Sequence, residues 1–151
     1  MRKLIFGIGL GLCLIAGLCN WLLMPSYAVS QALSEEMRRG PGATVDFAEI
    51  ARFDWDRVYF FGPYTPHSRI DASLGFHWRG VTRTTIEWNE GVNLVVFVRR
   101  AGVVHWFEHA RHEELEELAN PNGYAREQAR FTVTVCQIGI ERRLTLVSPK
   151  R

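Results

Sequence analysis

NLVVFVRRAGVVHWFEH, Asn93 to His109, is two extended runs around a turn. Asn93 to Val98 is apolar without polar alternation, the pattern of a central strand covered on both faces. Arg100-Ala101-Gly102 supplies the turn. Val103 to Phe107 is β-branched and aromatic, as a returning strand requires. On a strand, alternate side chains share a face, so His105, Phe107 and His109 point one way and Glu108 the other. The hairpin makes the sheet antiparallel.

The flanking sequence repeats this plan. Arg57 to Phe61 and Val81 to Trp88 are strand-forming, the latter ending at the turn Asn89-Glu90-Gly91. Phe131 to Ile138 and Ile140 to Val147 flank Gly139, a turn or bulge. Short helices fall between the strands. Phe47 to Ile50 reads as a short helical turn after Asp46. Thr65 is placed to cap a helix with Pro66 in its first turn, Ile70 and Leu74 on its buried face and Gly75 at its end. His112 to Ala119 reads as an acidic, solvated helix with Leu115 and Leu118 inward. The expected fold is α+β: a mostly antiparallel sheet of about five or six strands with short helices, preceded by an N-terminal hydrophobic helix.

That hydrophobic segment is Leu4 to Met24, behind Arg2 and Lys3. Its length suits a bilayer span of about 30 Å, while Pro25-Ser26-Tyr27-Ala28 has the small residues of a signal-peptidase site. Both readings send the remainder out of the cytoplasm. The expected divisions are residues 1–28, an anchor or signal peptide; 29–45, a juxtamembrane helix and linker; and 46–151, a globular domain. The chain carries 18 basic and 16 acidic side chains, and the excess of two is Arg2 and Lys3 themselves. The exported part is therefore near neutral and lacks the basic stripe of a nucleic-acid binder. Beyond the leader the only cysteine is Cys136, so no internal disulfide forms there.

Trp55, Asp56, Val58, Tyr59, Phe61, Pro63, Tyr64 and Thr65 spell W-D-x-V-Y-x-F-x-P-Y-T. Continued through Ile70 to Leu74-Gly75 and Trp78, the segment resembles one in small uncharacterised bacterial membrane-anchored or exported proteins. The resemblance implies a cell-envelope location and no particular activity. A helix ending in Leu-Gly beside an antiparallel sheet is also similar to small outer-membrane assembly lipoproteins. Leu12 and Leu18, however, precede Cys13 and Cys19 where lipidation needs a small residue.

Several constellations bear on chemistry. His105-Trp106-Phe107-Glu108-His109 matches H-x-x-E-H, a zinc signature that needs a helix to bring both histidines to one face. The strand removes that geometry and leaves His105 and His109 on one face with His112 beyond its end, three potential ligands for zinc or copper. Asp54 and Asp56 flank Trp55 and share a face of an extended segment, as paired acids or a cation site would; they serve equally as caps for nearby N–H groups. Tyr64 and Trp78 are amphipathic aromatics of the kind used at binding surfaces, or core. Cys136 has apolar neighbours and no adjacent base, the setting of an inert thiol. No catalytic constellation is complete and no cofactor is implied. The expectation is a non-enzymatic extracytoplasmic envelope protein, periplasmic or in the inner membrane, that binds a partner protein, a peptide or an envelope component. The alternative is a small metal-binding or hydrolytic domain using His105, His109 and His112.

Overall fold

The computed structural model describes residues 27–138 and 141–148. The run Leu4 to Met24 and Gly139, expected at a turn or bulge, lie outside them. No helix among the described residues is long and apolar enough to cross a membrane.

Helix α1 covers 27–38. Val29, Leu33 and Met37 recur every four residues, which puts them on one face, and all three are buried. The helix is thus part of the core rather than a stalk, and the folded unit begins before residue 46. Gly40, at φ 90, carries the chain out of it, its N–H donating to Met37 O at 3.0 Å.

Among the described residues, eight strands form two four-stranded sheets instead of one sheet of five or six. The first has the order β1 (Thr44–Asp46), β7 (Arg130–Ile138), β8 (Glu141–Val147), β5 (Glu113–Glu114). The second is β4 (Gly102–Ala110), β3 (Val92–Arg99), β2 (Arg57–Phe61), β6 (Tyr124–Ala125). All pairings are antiparallel except β5 with β8. The α+β class and the antiparallel character therefore hold. β3 lies between β2 and β4 with six consecutive buried residues, the double cover its apolar run requires.

One core cluster joins α1 to a face of each sheet. Phe47 is at its centre, edge-on to Phe60 at 5.3 Å and to Phe131 at 5.8 Å. Phe47 opens α2 (Phe47–Ile50), which Asp46 caps by accepting from Ala48 N at 2.9 Å. A second cluster covers the other face of the second sheet with α3 (His67–Leu74), through Ile70, Leu74 and Trp78. Gly75 ends α3 at φ 77, as expected of a helix-terminating glycine.

Two segments depart from their local propensity. Val81 to Trp88 is not a strand; Arg79–Arg83 is a 3-10 helix followed by turns. The Thr84 hydroxyl donates to Val81 O at 2.7 Å and Thr85 is held by Glu108, so side-chain bonds displace a ladder while Val81 and Ile86 plug the core. His112 to Ala119 is not a solvated helix. It splits into β5 and the 3-10 turn Glu116–Leu118, because Glu113 and Glu114 turn inward to polar partners.

Candidate functional site

The W-D-x-V-Y-x-F-x-P-Y-T segment builds a corner. Its front half is structural: Trp55 is buried, donates Nε1–H to Ala51 O at 3.3 Å and lies under the Arg126 guanidinium at 5.1 Å. β2 then ends at Phe61, and the chain turns through Gly62 and Pro63 into α3. Thr65 does not cap that helix. Its hydroxyl donates to Gly62 O at 2.6 Å and ties the turn, while Pro66 stands at the cap position with no side-chain bond. Glu87 reaches across to accept from His67 N at 3.3 Å. The helix start is thus supplied from the 85–90 turn.

Tyr64 sits inside this turn at φ 60, a left-handed conformation that a residue with a Cβ adopts only when its surroundings enforce it. Here they do: its N–H donates to Ile86 O at 2.8 Å and its OH to Glu90 Oε2 at 3.1 Å. The Glu90 bond raises the phenol's pKa. The ring is nonetheless 55% exposed. Beside it opens a cleft of about 390 Å3, lined by Pro63, Tyr64, Pro66, Arg69, Glu116 and Pro121 among others. Gly62 gives it room, since a Cβ there would stand 3.2 Å from Glu116 Cγ. Strained backbone, an exposed aromatic and a polar-rimmed concavity coincide, a combination typical of binding surfaces.

Comparison with protein-family models, curated proteins and solved structures finds no match.

The histidines share a strand face but do not converge. The His105 ring packs on Phe53, 4.1 Å between centroids, and burial lowers its pKa. His109 is 2% exposed; its Nε2 meets Glu113 Oε2 at 2.7 Å and its Nδ1 meets Ser30 Oγ at 3.1 Å. His112 is exposed. Glu108 turns to the opposite face, where its carboxylate accepts from Thr85. No group of three or more His, Cys, Asp and Glu side chains able to hold a metal occurs among the described residues. The proposed set of His105, His109 and His112 is therefore not a metal site in this fold, because His109 is already bonded on both sides inside the core.

Glu113 is the residue the sequence concealed. Burial would raise its pKa, but the bonds from His109 and from Ser34, which donates Oγ–H at 2.7 Å, outweigh that and lower it. Ser30, His109 and Glu113 have the connectivity of a nucleophile, base and acid. Yet the imidazole is shut away from solvent, so the chain of bonds acts as a tie between α1 and β4. Its trace in the sequence is faint: Ser30 and Ser34 each follow a member of the apolar stripe Val29 and Leu33.

Asp54 and Asp56 also have local duties. Asp54 pairs with Arg99 at 3.1 Å, and Asp56 Oδ2 accepts from Arg100 N at 2.6 Å, where Arg100 has φ 56. Both clamp the β3–β4 turn rather than meeting as paired acids. Trp78 leaves the set of binding aromatics: it is buried, edge-on to Trp106 at 5.7 Å. Burial, foremost, and Glu114 raise the pKa of Cys136, which disfavours the thiolate.

Proposed function

We propose that this chain is a non-enzymatic cell-envelope protein, delivered or tethered by Leu4 to Met24, whose folded body binds a partner protein or peptide at the β2–α3 corner. Tyr64 carries this reading: exposed and strained, it is fixed by bonds to two residues of a distant turn beside a cleft. A scaffold that bends a tyrosine into φ 60 and leaves its ring in solvent spends stability on presenting that ring. The apolar run behind a basic start supports the location.

The test is purification of the tagged full chain from gently solubilised membranes, as wild type and as Tyr64→Ala. A stoichiometric partner retained by the first and lost by the second supports the reading. A partner retained equally by both, or none retained by either, removes the corner as the binding site.

A further inference from the structure

We propose that the end of the body where α1 begins lies against the bilayer that holds Leu4 to Met24, with the Tyr27 and Trp88 rings in its headgroup zone. This rests on the tether in the reading above, not on the corner cleft. Among the described residues the exposed large hydrophobic side chains are Tyr27, Tyr64, Trp88 and Val104. Tyr27 opens α1, while Tyr64 and Trp88 belong to the corner and to the 85–90 turn that props it. Ser30 of α1 bonds His109, and Thr85 of the turn bonds Glu108. Those are consecutive residues of β4, with side chains on opposite faces, so the start of α1 and the turn flank the same end of that strand. The three exposed aromatics therefore gather at one end of the body. Val104 lies towards the other end of β4, about 15 Å along the strand.

The chain itself brings this end to the membrane. Tyr27 follows Met24 by three residues, which reach at most about 11 Å when fully extended. α1 enters the core at Val29, so the folded body begins within that reach. The surroundings of the α1 start then face the headgroups. Tyr and Trp are the side chains such a zone favours, because each joins an apolar ring to a polar O–H or N–H. Tyr27 and Trp88 are each 69% exposed, so both rings are open to it. The carboxylates near Trp88 are engaged by the protein: Glu87 accepts from His67 N at 3.3 Å, and Glu90 from the Tyr64 hydroxyl. Single apolar side chains scattered over a surface need no partner. Aromatics collected beside a membrane segment have one within reach. The corner then opens beside the bilayer, and a partner that reaches it does so at the membrane surface.

The experiment uses the full chain in phosphatidylcholine vesicles. Trp21→Phe removes the indole of the apolar run, so that only tryptophans of the body emit. Phosphatidylcholine brominated near the headgroup end of its acyl chains quenches indoles that sit in the interface. Emission is expected to fall in brominated vesicles, and Trp88→Phe is expected to abolish most of that fall, since Trp55 and Trp78 are buried. Adding Tyr27→Trp to the Trp88→Phe protein is expected to restore it. Both positions are exposed, so unchanged melting midpoints verify that the variants fold. An equal fall with and without Trp88, no fall at all, or no restoration by Tyr27→Trp overturns the inference. A chain that alkaline carbonate washes off the vesicles overturns the tether and the inference together. An embedded chain with an unquenched Trp88 overturns the inference alone. In either case Tyr64-dependent partner retention reads the corner separately.

Discussion

Tyr64 carries a conformational cost: its bonds to Ile86 and Glu90 hold it at φ 60 while its ring stays exposed. Asn visits the left-handed region with less strain than a tyrosine. Tyr64→Asn is therefore expected to raise the urea midpoint while abolishing partner retention; a fall in the midpoint would mean that the ring packs rather than presents. Glu113 is the opposite kind of residue, charged but deep in the fold. Glu113→Ala takes the partner from His109 Nε2 and from the Ser34 hydroxyl, and loss of one member of a buried pair costs about 3–5 kcal/mol. The same carboxylate and His105 set the acid limit of the fold. His105 is harder to protonate folded than unfolded, so its contribution is lost as pH falls below its ordinary 6.5 towards its lower folded value. Glu113, depressed from 4.5, contributes stability above that value and loses it as pH falls through its folded pKa. Unfolding free energy measured against pH should decline in two stages from neutrality downward, and Glu113→Ala should flatten the lower one. An unchanged lower stage in that variant would assign it to other carboxylates.

α1 separates a stalk from a core element. Leu33 is fully buried among residues of both sheets, and Leu33→Ala should cost about 3 kcal/mol in urea unfolding, the middle of the range for core leucines. A stalk residue would cost almost nothing. The elements also show where local sequence suffices. Asn93 to His109 folds as the hairpin its pattern dictates, with His105 and His109 on one face and Glu108 on the other, because six apolar residues in a row have no other satisfactory environment. Gly75 likewise ends α3 where its backbone freedom places it. Val81 to Ile86 misleads because β-branched residues favour a strand while Thr84 and Thr85 find side-chain partners instead. Glu113 and Glu114 mislead because nothing nearby in sequence announces Ser34 or the inward turn that buries them. β5 and β6, two residues each, exist only through their neighbours and have no periodicity to read.

The whole molecule stacks α1 and two sheets around one aromatic core and closes the outer face of the second sheet with α3. This order gives the corner its rigidity. β2 is paired on both sides, and the 85–90 turn that props Tyr64 is itself bound through Thr85 to Glu108 of β4. The cleft is thus fixed by three segments far apart in sequence, and of its lining only the motif residues, Tyr64 first among them, were legible beforehand. Arg69 and Glu116 gave no signal, since their role depends on where distant turns meet. Location and binding can be tested together in living cells. A photo-crosslinking amino acid placed at Tyr64 of the full chain, with Val104 on the exposed part of β4 as control, reads contact at the corner directly. A discrete adduct from Tyr64, absent from Val104 and recovered with the membrane or periplasmic fraction, is the predicted result; no adduct at Tyr64, or the same adducts from both positions, would contradict it.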